Sequence, residues 1–337
     1  MKEITFVVPC YNSQDYMKRC IDSLLPCGED GEIIIVDDGS TDATGEIADS
    51  YATLYPDKVR VVHKTNGGHG SGVNAGLKLA AGRFFKVVDS DDWLEEGALH
   101  SLMKCLREWQ DRLDMIVCNY VYDHLYENRK RSVRFGNVFP ENTRCSWQDM
   151  RPFGPSQYLV MHALVFRTAV LRQSEVTLPE HTFYVDNLFA YKPLPRVHHI
   201  FYLNVDLYHY FLGRDDQSVN EKSYMQRIDQ QILVTKLVVE SVDIQEIYRT
   251  SYKLARYMIR NISIMLSISS IYLLMIKSKE ALEMRDELWN YIREKDEWLY
   301  RKLKYQSLSG LTYLPGSLGS SLTLKGYRLA KRTYQFG

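Results

Sequence analysis

The chain has 337 residues, enough for one large domain or two ordinary ones, and 45% of them are hydrophobic, as in a globular protein with a real core. Its 42 basic and 42 acidic residues cancel, which argues against general nucleic-acid binding, a role that needs a basic excess. Cys10, Cys20, Cys27, Cys105, Cys118 and Cys145 form no close metal-ligand pair and read as reduced packing residues of a cytoplasmic protein.

The first part of the chain alternates strand and helix signals. Residues 4–9 are a short apolar strand closed by proline, and the spacing of Tyr16, Cys20 and Leu24 predicts a helix over 15–25. A second buried strand over 32–36 leads into polar residues 37–42 and a helix reaching Tyr55. A third strand over 59–62 precedes a glycine-rich loop and a helix ending at Gly82; a fourth spans 83–88. A helix over 95–110 then precedes the apolar run 115–118. Strands without polar alternation, separated by helices, predict an α/β fold with a mostly parallel sheet flanked by helices.

Residues 119–217 are less regular and rich in aromatics, histidine, proline and arginine. From Glu221 the pattern predicts a helical extension with segments over 224–242, 245–276 and 278–304. The most apolar stretch, 261–276, is interrupted by serines and falls short of the ~20 residues of a membrane span. No basic segment followed by a long apolar region opens the chain, so no signal peptide is expected. After Glu297 no acidic residue remains, while Arg301, Lys302, Lys304, Lys325, Arg328, Lys331 and Arg332 do, with Tyr327, Tyr334 and Phe336 among them. Apolar helical faces need burial, so the expectation is first a homo-oligomer through these helices, then peripheral contact with an anionic membrane, then a solvated tail.

Polar clusters fall at four predicted strand ends, where open α/β sheets bind their ligands. Asp89-Ser90-Asp91-Asp92 gathers carboxylates that repel one another, an arrangement suited to a hard divalent ion such as Mg2+ or Mn2+. A helix N-cap near Trp93 is the other reading, though one aspartate would serve for that. Asp37-Asp38-Gly39-Ser40 places two carboxylates before a turn, able to accept from a pyrimidine N3–H or from ribose hydroxyls. Pro9-Cys10-Tyr11-Asn12 either frames a flat base with the Tyr11 ring or is a plain βα turn. The loop from Asn66 to Gly76 offers backbone amides to phosphate, yet it lacks the Gly-Lys-Ser/Thr of a P-loop and the strict dinucleotide fingerprint. Hydride transfer and kinase chemistry therefore fit poorly. Asp186, among Phe183, Tyr184 and Phe189, is either a general base with a raised pKa or a helix cap. Arg214, with Ser218 in the same loop, either binds diphosphate or forms a surface ion pair.

Together these motifs resemble the family 2 glycosyltransferases of the GT-A fold, over roughly residues 2–220, with 221–337 as a separate helical region carrying the basic tail. The matching pieces are residues 8–12, 37–42, 66–76, 89–92, 184–186, and 213–214 with 217–218. The resemblance implies that Pro9, Tyr11 and Asp38 hold the uridine of a UDP-sugar and that Asn66 and Gly68 lie beside the nucleotide or its diphosphate. Asp89 and Asp91 look like the family's Asp-x-Asp, with Asp91 the direct metal ligand, while Asp92 faces the sugar and Asp186 is the catalytic base. The family commonly has arginine before the asparagine matching Asn74; here it is Val73, and Arg214 is the candidate to supply the missing charge. His209 is a further candidate metal ligand, or else a sheet or surface histidine. The expected activity is metal-dependent, inverting transfer of a hexose from a UDP-sugar to a hydroxyl of a glycan, glycoprotein or lipid-linked glycan. A sugar-1-phosphate nucleotidyltransferase would want a basic glycine-rich loop near the N-terminus, which residues 9–12 do not supply. A non-catalytic UDP-sugar-binding subunit is the third reading, disfavoured by intact Asp89, Asp91 and Asp186.

Overall fold

Seven successive buried residues, Ile4–Cys10, make strand β1, and their lack of polar alternation reflects cover on both faces of the sheet. This computed structural model describes residues 2–124, 129–155, 157–213 and 221–334. The chain divides into two units, Met1–Arg214 and Asp215–Gly337. In the first unit β1 is followed by α1 (Met17–Leu24), β2 (Gly31–Asp37), α2 (Thr44–Leu54), β3 (Val59–His63), α3 (His69–Leu79), β4 (Phe84–Val87), β5 (Trp93–Leu94) and α4 (Glu96–Trp109). Then come β6 (Met115–His124), β7 (Arg129–Val133), β8 (Arg144–Cys145), β9 (Leu164–Arg167), α5 (Thr168–Gln173), α6 (Asp186–Tyr191) and β10 (Ile200–Phe211).

The sheet order is β3-β2-β1-β4-β9-β6-β10-β5, with β7 added on β6 and β8 on β10. β1 runs parallel to β2 and β4, β2 to β3, and β6 to β10. Strand β9 is antiparallel to both neighbours, β4 and β6, so the expected mostly parallel sheet is a mixed one with a reversed strand at its middle. The register of β10 against β6 shifts between Leu203 and Asp206 and again before Tyr208. Those irregularities hide the strand from a search for period-two alternation. Helix α3 lies close on β1: a Cβ added to Gly76 would stand 2.3 Å from Val7 Cγ1.

The second unit is helical: α7 (Glu221–Gln226), α8 (Ile228–Glu240), α9 (Ile244–Thr250), α10 (Tyr252–Ile276), α11 (Lys279–Lys295), α12 (Glu297–Tyr305) and α13 (Gly316–Tyr334). Each of the three expected helices is divided in two: 224–242 into α7 and α8, 245–276 into α9 and α10, and 278–304 into α11 and α12, where the Asp296 side chain accepts the Leu299 amide and starts α12. Asp243 and Ser278 cap helices at the expected boundaries. Helix α10, at 25 residues, is long and apolar enough to cross a membrane, which corrects the shorter expectation. It is nevertheless largely buried, packed against α8, α9 and α11. Trp289 of α11 donates its indole N–H to Ser270 of α10 at 3.1 Å and stacks on Tyr313.

Candidate active site

The loop leaving β4 carries Asp89, Asp91 and Asp92, which face different partners. Asp92 is fully buried: one carboxylate oxygen accepts from the Tyr208 hydroxyl at 2.5 Å, the other from the Phe211 amide at 2.8 Å. Burial first, then the charges of Asp91 and Asp89, push its pKa well above the ordinary carboxylate range. Asp89 Oδ1 lies 2.8 Å from His69 Nε2, at the first residue of α3. Burial would raise the Asp89 pKa, but the charge and hydrogen bond of His69 outweigh it and hold the group low. Asp91 is half-buried, and its carbonyl lies 3.5 Å from an Arg19 guanidinium nitrogen.

Opposite this loop stands His162, just before β9. Its ring stacks between Tyr208 and Tyr210, at 4.6 and 4.8 Å between centroids. Burial holds its pKa down at about 4, so the imidazole is neutral at ordinary pH. Its Nδ1 is buried, makes no hydrogen bond and lies 4.0 Å from Asp89 Oδ2. One carboxylate oxygen from each of Asp89 and Asp92 and a ring nitrogen of His162 lie within 4.8 Å of one another, a group that does not include Asp91, the expected direct ligand. Hard carboxylate oxygens around an unpartnered neutral imidazole nitrogen suit Mn2+ or Mg2+, so the residues present fit the divalent ion expected from the resemblance.

Asp186 reaches the same place by way of the glycine loop. Asn74 of α3 both donates to the Leu178 carbonyl at 2.8 Å and accepts from the Leu178 amide at 3.0 Å. Ser71 donates to Glu180 at 2.8 Å, and the His181 amide donates to the Gly67 carbonyl at 2.6 Å. These bonds clip residues 178–181 along α3 and deliver Asp186 to the first position of α6. There burial raises its pKa, His69 opposes the rise, and Asp89 adds to it. Asp186 and Asp89 thus act on one imidazole.

The expected nucleotide residues surround the loop at 66–68. The Asp38 carboxylate is buried and accepts from the Gly67 and Gly68 amides at 2.7–3.1 Å and from Lys64 at 2.6 Å. Its carbonyl accepts from the Asn66 side-chain amide at 2.9 Å. Gly68 has φ +83°, and any Cβ there would meet the His181 backbone at 3.1 Å, so the clip itself requires glycine. Pro9 is buried at the end of β1, whereas the Tyr11 ring beyond it is 53% exposed. Val73, in place of the arginine, is buried in α3. Arg214 and Ser218 lie outside the described residues. His209 is turned to a different partner: its Nδ1 is 3.0 Å from Asp123, and its ring stacks on Trp93. His209 borders a separate cleft of about 580 Å³ between α4 and β10, lined also by Lys130, Arg134 and Asp206, which does not include the carboxylate loop. His69 and His162 went unnoticed in the sequence; His69 stood inside the quoted glycine loop, and His162 had no local signal at all.

A mixed α/β sheet with a carboxylate loop at the end of a central strand, accompanied by a half-buried aspartate at the start of a helix, fits the GT-A class of fold. Residues 5–173 match the family model of Glycosyl transferase family 2, half of the chain, and the chain belongs to that family. The glycosyltransferase GlyG of Streptococcus pneumoniae serotype 4 is 38% identical over 119 residues, 35% of this chain and 38% of GlyG. The glycosyltransferase EpsJ of Bacillus subtilis is 32% identical over 208 residues, 58% of this chain and 57% of EpsJ. The poly(ribitol-phosphate) beta-N-acetylglucosaminyltransferase TarS of Staphylococcus aureus is 26% identical over 300 residues, 87% of this chain and 50% of TarS. The chain therefore spans about half the length of these curated relatives, or less. The crystal structure of S. aureus TarS 1-349 in complex with UDP-GlcNAc shares the fold at a TM-score of 0.65 and 19% identity, over 99% of this chain and 91% of that one.

Proposed function

We propose that this chain transfers a hexose from a UDP-sugar to an acceptor hydroxyl, with inversion at the anomeric carbon and with Mn2+ or Mg2+ at the carboxylate loop. The observation that carries this reading is the shared imidazole: Asp186, its pKa raised by burial, and Asp89, its pKa held low, both act on His69. Two carboxylates pushed apart in this way are suited to different tasks, one to take a proton and one to stay charged. Asp186 takes the proton of the acceptor hydroxyl, whose oxygen attacks the anomeric carbon on the face opposite the departing UDP. Asp89, with the unpartnered His162 Nδ1 4.0 Å from its Oδ2, and Asp91 from the same loop would hold the metal, which when bound would supply positive charge to the leaving diphosphate. Asp92, expected to face the sugar, is fully buried with both carboxylate oxygens bonded, and acts by ordering the loop through Tyr208 and Phe211. Pro9, Tyr11 and Asp38 form the uridine pocket, where Asp38 acts through the loop it pins at Asn66 and Gly68. Arg214 serves the diphosphate.

The relatives support a nucleotide-sugar donor: TarS is named as an N-acetylglucosaminyltransferase and was crystallised with UDP-GlcNAc. A mannosyltransferase of Pyrobaculum calidifontis, of like fold at a TM-score of 0.53, was crystallised with GDP-Man and Mn2+. The acceptor is a glycan, glycoprotein or lipid-linked glycan, and the six buried free cysteines suit the cytoplasm. Thermal-shift titration with UDP-hexoses, with and without Mn2+, tests the donor, since a ligand of the native state raises apparent stability. One UDP-sugar should stabilise the chain only with the metal present, and Asp91→Asn should remove the effect. Equal stabilisation in EDTA would refute the metal, and no response to any UDP-sugar would refute the donor.

A further inference from the structure

Helix α13 has two unlike faces. On one, the Tyr327 hydroxyl and Lys331 Nζ each donate to the Glu221 carboxylate at 2.7 Å, and the Tyr327 ring meets Tyr272 of α10 edge-on. Thr323 on the same side donates to the Leu311 carbonyl at 2.9 Å. These contacts hold the helix against its unit and fix which way the other face looks. That other face carries Leu318, Leu322 and Leu329, which are 81%, 63% and 68% exposed. At 3.6 residues per turn they fall within about 40° of one another, with Lys325 in the same stripe and Arg328 at its edge.

Leucines in a row at such exposure cost hydration free energy unless something covers them. We propose that this leucine face, with its basic border, docks on the surface of a lipid bilayer bearing anionic headgroups. Charge selects that occupant. No carboxylate side chain follows Glu297, and Glu221 pairs with Lys331 on the docked side, so Lys325 and Arg328 leave the leucine face basic. A second copy paired across a two-fold axis would set Lys325 and Arg328 against their own images, with no acid from this segment between them. An anionic bilayer meets both needs at once: acyl chains for the leucines, phosphate headgroups for the cations. The contact is superficial, because the one helix apolar enough to span among the described residues is already packed inside its unit. This inference is independent of the transferase reading.

Sedimentation of the full chain with vesicles tests it. The chain should pellet with phosphatidylcholine vesicles containing phosphatidylglycerol, stay in the supernatant with phosphatidylcholine alone, and be released by high salt. Lys325→Gln with Arg328→Gln should lower the partition coefficient about 25-fold, from about fivefold per charge. Leu318→Ser with Leu322→Ser and Leu329→Ser should abolish pelleting while leaving the thermal midpoint unchanged, since these side chains touch solvent. If the triple variant does not fold, the charge variant decides alone. A chain that ignores anionic vesicles, or variants that partition like the parent, would overturn the proposal. So would a concentration-dependent dimer, seen by light scattering, that the leucine variant dissolves, because a second copy would then cover the face.

Discussion

His69 Nε2 and Asp89 Oδ1 stand 2.8 Å apart, joining the first residue of α3 to the loop that leaves β4. A cation at a helix N-terminus opposes the macrodipole, so the imidazolium is sustained there by the carboxylate. Burial lowers the His69 pKa, yet Asp89, by charge and hydrogen bond, raises it above the ordinary histidine value, with Asp186 and Asp91 adding to the rise.

If Asp89 is a metal ligand, His69 is the partner that orients it. Loss of such a partner typically costs about 10–100-fold in metal affinity or activity. His69→Ala is expected to weaken Mn2+ binding, read by calorimetry, and turnover by that range. His69→Gln, which keeps a donor, should recover part of the loss. Mn2+ affinity unchanged in both variants would reduce the contact to a structural one.

Lys86 offers a pH test read from stability alone. It is fully buried in β4, where Nζ donates to the His162 carbonyl at 2.7 Å, and burial lowers its pKa from 10.5 to about 8. Between those values the unfolded chain binds a proton that the folded chain has lost, so this group makes stability rise with pH from about 8 to 10.5. The rise is on the order of 3 kcal/mol. Urea unfolding of the parent and Lys86→Met at both ends of that window should show their stability difference shifting by this amount toward the parent. A pH-independent difference would mean the lysine stays charged in the fold.

Close packing of α3 on β1 gives a third expectation. A methyl at Gly76 would overlap Val7, whose Cγ atoms lie at 2.3 and 2.6 Å from the added Cβ, on a fully buried side chain. Gly76→Ala should destabilise by about 1–3 kcal/mol despite the gain in helix propensity. A more stable variant in chemical denaturation would show that the helix can lift off the strand freely.

Strands β1, β2 and β4 were legible because burial on both faces leaves mostly apolar runs, and the candidate-site loops follow directly from β1, β2 and β4. What escaped the sequence depends on long-range pairing. His162 becomes a neighbour of Asp89 only because β9 inserts, reversed, between β4 and β6. Asp38 shows the same limit: a carboxylate that reads as open to a ligand is already bonded to two glycine amides and a lysine. Asn74, noted only as the neighbour of Val73, proves to be the residue that ties α3 to Leu178 and so brings Asp186 into the site. In the second unit the helical periodicity held, but each expected helix is divided, and only at Asp296 does a capping side chain inside the segment mark the break.

The most direct measurement is turnover of Asp186→Asn beside its affinity for the UDP-sugar with Mn2+. The substitution keeps the volume and removes the base. Turnover should fall by about 10²–10⁴-fold with donor affinity unchanged, a loss confined to proton transfer. In the parent, kcat should fall as pH drops through a pKa above the ordinary aspartate value, because burial raises that of Asp186, and this acid limb should vanish in the variant. Turnover within a few-fold of the parent, with the limb intact, would contradict the assignment and leave Asp186 as the opening residue of a helix.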